Sequence, residues 1–253
     1  VTLFLLPPSE TKRDGGVPRS RLALSRLRHR GLTDHRALVL ERLEEVCGED
    51  EAGARALRLS ARAAPIELAR NRSLRRSATL AAIERYTGVL YDALAVTEWD
   101  AASRARAAHH VGIQSALFGL IGADDRIPAY RLSHDSRLPN LRLAAHWATA
   151  VSSILSRQTG PIIDLRSEAY AALGPLPTRP DALFVRVMAV GRDGVAKALS
   201  HANKASKGAF LRSILTAGPV PESVDGLCEL AHRRGWVLRP GATGELDLVV
   251  SSG

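Results

Sequence analysis

Apolar positions change their spacing several times along the chain, and each change marks an element. Val1 to Leu6 is an almost unbroken apolar run closed by Pro7-Pro8, the pattern of a buried strand. The segment from Pro7 to Gly16 is turn-rich, and loops leaving a buried strand are where sites collect. Thr33-Asp34 suit a helix N-cap, and Leu38, Leu40, Leu43 and Val46 predict a helix ending before Gly48. Alanine and arginine dominate 51–110, with helical periodicity around 76–95, so this stretch reads as a helical layer. Ser115 to Leu132 carries Gly119, Gly122 and Pro128 and predicts a tight connection, a hairpin either of helices or of strands. A helix is expected from Pro139 to about Gln158, with Leu143, Trp147, Val151 and Leu155 on one face and Gly160-Pro161 as its stop. Ile162 to Leu165 and Leu183 to Val190 read as strands joined through a Pro-rich connection. Helices over 203–216 and 221–234 precede a terminal hairpin of 236–238 with 246–250. No repeat, low-complexity tract or linker interrupts the pattern, which predicts one α/β or α+β domain over residues 1–253.

At 253 residues and 45% hydrophobic content the chain can bury a large core without a covalent staple. The first apolar run is too short for a signal peptide or membrane span, so no membrane partner is expected. Cys47 and Cys228 fit neither a zinc pattern nor a disulfide framework, and the reducing cytoplasm is the expected location. The eight histidines show no HExxH or paired-ligand spacing, and there is no GxSxG elbow, so no metal and no cofactor are predicted.

Charge changes the picture more. A net charge of +9 and a pI near 10.3 favour a phosphate-rich partner, although an arginine-rich genome produces the same excess. Of the basic residues 31 are arginine and only four are lysine: Lys12, Lys197, Lys204 and Lys207. Where arginine fills the ordinary cationic positions, lysines become candidates for work a guanidinium does badly, as a compact point charge or a tunable amine.

Lys204 and Lys207 lie three apart at the start of a predicted helix, with Arg212 further along, which would make a cationic edge. Cations at a helix N-terminus oppose the macrodipole and so call for a partner. Lys12 sits in a strand-to-loop position suited to gripping phosphate but lacks the GxxxxGK[ST] spacing. Tyr130-Arg131 could stack on a base and pair with a phosphate, or simply pack as an aromatic under a surface arginine. Ser167, Glu168 and Tyr170 come off a strand end, the usual place for a site in an α/β sheet. Glu168 beside Lys204 would suit glycosylase or lyase chemistry on a nucleotide, and an ordinary salt bridge is the competing reading.

Several segments together resemble the YaaA family of peroxide stress proteins. They are Pro8-Ser9-Glu10-Thr11-Lys12, Tyr86-Thr87-Gly88-Val89-Leu90-Tyr91, Ser115-Ala116-Leu117-Phe118-Gly119, and Pro128-Ala129-Tyr130-Arg131-Leu132. His146-Trp147, Ser167-Glu168-Ala169-Tyr170 and Asn203-Lys204-Ala205-Ser206-Lys207-Gly208 complete the ordered set. Val89 departs from the acidic residue common there, and Lys207 from arginine. The resemblance implies a mixed sheet wrapped by helices, a helix-hairpin-helix-like element, DNA binding, and limitation of iron-dependent damage. Such an element grips backbone phosphates without reading sequence; its candidate is the Gly119 to Pro128 connection, which an ordinary Gly-rich turn explains equally. Two functions follow. One is a sequence-tolerant binder of duplex or distorted DNA that uses Ser9, Lys12, Tyr130, Arg131, Ser167, Lys204, Lys207 and Arg212 in a basic cleft. The other is an enzyme acting on a nucleotide-like small molecule in the same cleft, with Lys204 and Glu168 as the catalytic candidates.

Overall fold

The protein is described here from a computed structural model, which covers the backbone except residues 191–195, 199–201 and 252–253, and side chains except 190–202 and 251–253. In chain order the strands are β1 Leu3–Leu6, β2 Leu80–Ala81, β3 Val111–Ser115, β4 Gly119–Gly122, β5 Arg126–Ile127, β6 Ile162–Asp164, β7 Ala182–Val190, β8 Ala196–Ala198, β9 Val237–Pro240 and β10 Glu245–Ser251. The helices are α1 Thr33–Val46, α2 Asp50–Ala56, α3 Ala64–Arg72, α4 Ala82–Arg85, α5 Val89–Leu94, α6 Ala101–His110, α7 Leu143–Ser156, α8 Glu168–Ala171, α9 Ala202–Leu215 and α10 Val224–Arg233. The mixed α/β class expected from the hydrophobic pattern is what forms. No described helix is long and apolar enough to cross a membrane.

The main sheet runs β4-β3-β1-β6-β7-β10-β9, with β8 added to β7. Its centre is parallel: β1 pairs with β3 and β6, and β7 with β6 and β10. β4 and β9 close the two sides antiparallel. Strands covered on both faces lose the polar alternation of half-exposed ones, and β1, β3 and β6 are correspondingly buried at nearly every position. From β1 the chain crosses to β3 on one side; it later enters β6 on the other. The direction of crossover therefore reverses between β1 and β6, and the space beyond their carboxyl ends is the topological switch point.

Three expectations change. Within the Gly119 to Pro128 connection, β4 is the second arm of a strand hairpin with β3 and β5 pairs with β2, so it does not supply a helix-hairpin-helix element. Gly119, at φ 65°, lies under Trp147, where a Cβ would come within 2.6 Å of the indole; Ser115 Oγ accepts from the amides of Leu117 and Phe118 and closes the turn. Helix α7 begins at Leu143 rather than Pro139, because Asn140 takes a left-handed φ of 53° and Leu138 bridges Leu141 across a tight turn. The terminal hairpin forms, but β10 also pairs with β7 in parallel, so it extends the sheet.

A pair of helices joined by a short turn does occur at α2 and α3. Arg58 adopts φ 52°, the Leu59 amide reaches back to Ala54 O at 2.9 Å, and buried Leu57 anchors the turn, a left-handed helix stop without the usual glycine. Gly53 lets the pair close, since a Cβ there would lie 2.6 Å from Leu68 Cδ2.

Candidate functional site

A cavity of about 490 Å³ opens at the switch point, within the size range of small-molecule sites. One part of its wall is the loop after β1, Pro7 to Thr11, and another is the loop after β6, Leu165 to Ser167. The start of α5, from Thr87 to Tyr91, and the start of α9, through Asn203, Lys204 and Lys207, complete it. Gly208 sets the separation of those two helices: a Cβ there would stand 2.2 Å from Leu90 O, so only glycine lets α9 sit this close to α5. Gly88, at φ 95°, turns the chain into α5 beside the hydroxyls of Ser9 and Thr11.

Lys207 is 4% exposed, and its Nζ donates to Arg166 O at 3.2 Å and lies 5.1 Å from the centre of the Phe184 ring. Burial is the largest influence on it and pulls its pKa down to about 8, with Asp164 opposing. Such an amine exists in both protonation states near neutrality, so it can hold an anion or act as a base. Lys204 is exposed on the same wall. Arg166, also in the wall, is fully buried and already neutralised by Asp164 at 2.6 Å. Asn203 Oδ1 is buried with no hydrogen-bond partner among the described residues.

Lys12 is not in the lining. It lies beneath the loop that forms it, donating from Nζ to Ser9 O at 2.8 Å and Glu10 O at 3.2 Å, over the Tyr130 ring at 4.2 Å. Burial, and then the Arg131 guanidinium, bring its pKa down to about 7. Its place is that of a latch on the loop rather than a ligand-facing cation. Among the described residues every side-chain ion pair is made by an arginine, and Lys12, Lys204 and Lys207 make none.

The other candidates are placed differently from one another. Tyr130 is fully buried, so its ring cannot stack on a base; its hydroxyl joins Ser115 Oγ and Tyr86 OH, both at 2.8 Å, in an interior chain that raises both tyrosines' pKa by burial. Neither Arg131 nor Arg212 is in the lining: Arg131 pairs with the lining residue Glu10 at 2.9 Å, and Arg212 with Glu98 at 2.5 Å. Ser167 and Tyr170 line the cavity. Glu168, 74% exposed, pairs with Arg186 at 2.9 Å and lines a neighbouring depression with Lys207 and Phe184, so the ordinary salt bridge accounts for it. Lys197 lies outside the residues whose side chains are described.

A second basic feature was missed in the sequence. Arg55 and Arg58 of the α2–α3 turn and Arg137 from the loop after β5 surround one surface depression, all three exposed, with Arg58 paired to Asp135 at 3.0 Å. The Arg137 amide donates to Ala56 O at 2.8 Å, fixing the loop on α2. In the same loop His134 packs edge-on against Tyr170 of the cavity, 5.1 Å between ring centres. The arginine depression and the cavity are thus neighbours across one loop. No periodicity marks three arginines from two distant segments, and the turn lacks a glycine to announce it.

Comparison with known proteins decides the kinship: the sequence profile of peroxide stress protein YaaA matches residues 2–240. The chain belongs to the YaaA family. Its relatives include a UPF0246 protein of Streptomyces coelicolor, 39% identical over 257 residues and covering 98% of both chains. A UPF0246 protein of Corynebacterium glutamicum is 38% identical over 256 residues, and one of Corynebacterium efficiens 37% over 255; each match spans 98% of this chain and 100% of the relative. The YaaA motifs noted in the sequence have two fates. Those around Pro8, Gly88, Ser167 and Lys204 line the cavity, whereas Ser115, Tyr130 and Trp147 build the core behind it.

Proposed function

We propose that this YaaA-family protein serves in peroxide stress by binding DNA through its sugar-phosphate backbone, without reading sequence, and thereby limits iron-dependent damage. The observation that carries this reading is the convergence on one depression of exposed Arg55, Arg58 and Arg137, of which only Arg58 is in an ion pair among the described residues, with Asp135. Guanidinium groups suit phosphate oxygens, and each phosphate they neutralise releases condensed cations. A ferrous ion held at the backbone is displaced by the same exchange, which removes the metal from the place where its oxidation by peroxide would break the strand. From the arginines the backbone passes the His134 loop toward the cavity mouth, where exposed Lys204 adds a further cation.

The test is a salt titration of duplex binding. Arg55→Ala, Arg58→Ala and Arg137→Ala together should lower the slope of log K against log salt by roughly 0.9 for each phosphate that is no longer neutralised. An unchanged slope refutes the reading. A second reading, an enzyme acting on a nucleotide-like small molecule, draws support from the concave cavity and the buried, shifted Lys207.

A further inference from the structure

We propose that the switch-point cavity is a binding site for a single nucleoside monophosphate unit, with its phosphate on the Lys204–Lys207–Ser167 wall and its ring against Pro8, Val89 and Leu90. The inference deepens the second reading above and rests on its premise that the cavity binds a small molecule; the arginine depression is not required for it.

Three features of the cavity point to such a ligand. The first is charge. A buried ammonium is costly unless an anion or sufficient hydrogen bonds compensate it, and Lys207 has one carbonyl at 3.2 Å and no carboxylate within 4 Å among the described residues. The nearby acids are engaged elsewhere: Asp164 with Arg166, Glu168 with Arg186, and Glu10 with Arg131. Exposed Lys204, which makes no ion pair among the described residues, adds a second cation on the same wall. An anion with several oxygens, able to take donors from both amines and the Ser167 hydroxyl, matches that wall better than a single acceptor does.

The second feature is the apolar part of the lining. Val89 is 55% exposed, and Pro8 and buried Leu90 add to the same apolar surface. A flat ring would cover it and gain burial. Third, the hydroxyls of Ser9, Thr11 and Thr87 and Asn203 Oδ1, which has no hydrogen-bond partner among the described residues, also belong to the lining, as donors and acceptors for a sugar. A cationic patch, a set of hydroxyls and an apolar surface in one cavity match the three parts of a nucleotide. Gly208 holds the walls at a fixed separation by admitting α9 against Leu90 O.

The same unit could come from free nucleotide or from a residue turned out of a DNA strand, which requires unstacking. The experiment titrates the full chain by calorimetry with the four deoxynucleoside 5′-monophosphates, their nucleosides and inorganic phosphate. Expected is saturable binding of at least one monophosphate, at least tenfold tighter than its nucleoside and than phosphate alone, and reduced at least tenfold by Lys207→Met. Equal affinity for nucleoside and monophosphate, equal affinity for phosphate alone, no binding at millimolar ligand, or wild-type affinity in Lys207→Met would each overturn the assignment. Should Lys207→Met not fold, Val89→Asp in the lining serves instead, and monophosphate affinity unchanged by that new negative charge overturns it as well. A duplex carrying unpaired 2-aminopurine separates the sources: brightening with wild-type protein but not with Lys207→Met assigns the DNA nucleotide, and no brightening alongside monophosphate binding assigns the free one. The triple arginine variant should keep its monophosphate affinity while its salt slope falls, so failure of the DNA reading and failure of this site are read separately.

Discussion

Two regions of this protein bury cations, and they do so in opposite ways. Behind the sheet edge, Arg36 donates to the carbonyls of Phe118 and Leu120 at 2.8 and 2.9 Å and of Arg28 at 2.7 Å, and Arg85 donates to those of Ile127, Arg13, Gly15 and Ala78. Burial lowers both to a pKa of about 10, so they stay charged near neutrality. Neither lines the switch-point cavity. There Lys207 has, among the described residues, one carbonyl, one aromatic face and an open chamber. A buried cation with its donors filled belongs to the scaffold, since nothing more can be gained by binding; one with donors left over beside a cavity is where an anion gains most.

The contrast can be broken most directly at its structural end. Arg36→Met strips donors from four carbonyls, those of Arg28, His29, Phe118 and Leu120, and should cost about 3–5 kcal/mol in urea unfolding; a loss below about 1 kcal/mol would show that the carbonyls find other partners. Lys12 sharpens the comparison, being a buried lysine held by carbonyls alone. Its folded pKa, about 7, lies below the 10.5 of the unfolded chain, so between those values the unfolded state binds more protons and the stability contributed rises with pH. Against Lys12→Met, the wild type should therefore gain roughly 2–4 kcal/mol from pH 7 toward pH 10, at about 1.4 kcal/mol per unit. A difference that stays flat with pH would mean that Lys12 keeps its proton in the folded state across that whole range.

Smaller effects test the cavity wall. Gly208→Val must push α9 from Leu90 and should cost about 1–3 kcal/mol in thermal unfolding, together with loss of cavity binding. Retained binding would show that the spacing of α5 and α9 is not what shapes the site. Least is expected of Glu168→Ala, which breaks an exposed pair with Arg186 and should change stability by less than about 1 kcal/mol. If monophosphate affinity changes tenfold in that variant, Glu168 is more than a surface ion-pair partner.

Much of the framework was legible in the chain itself. Strands β1, β6 and β7 announce themselves as apolar runs and α1 as an amphipathic stretch, because a strand or helix buries a face whose spacing is local, although the N-cap of α1 is Leu32, without a side-chain hydrogen bond, rather than Thr33 or Asp34. The scarcity of lysine, and its grouping at 204 and 207, was visible as well. What each lysine does was not: Lys12 and Lys207 are both buried, yet one seals a loop from below and the other faces a chamber. Tyr130 reads either as a recognition aromatic or as one packed under a surface arginine until Ser115 and Tyr86 enclose its hydroxyl from segments 15 and 44 residues away.

By itself, then, the sequence determined which stretches are strands and helices, the shortage of ordinary lysines and the kinship carried by its ordered motifs, all properties of neighbours along the chain. Only tertiary structure decided which charges are satisfied, because a carbonyl or carboxylate partner comes from wherever the crossovers bring it. The reversal between β1 and β6 leaves an opening at two strand ends, and Gly208 admits α9 close enough to bring Lys207 to its wall.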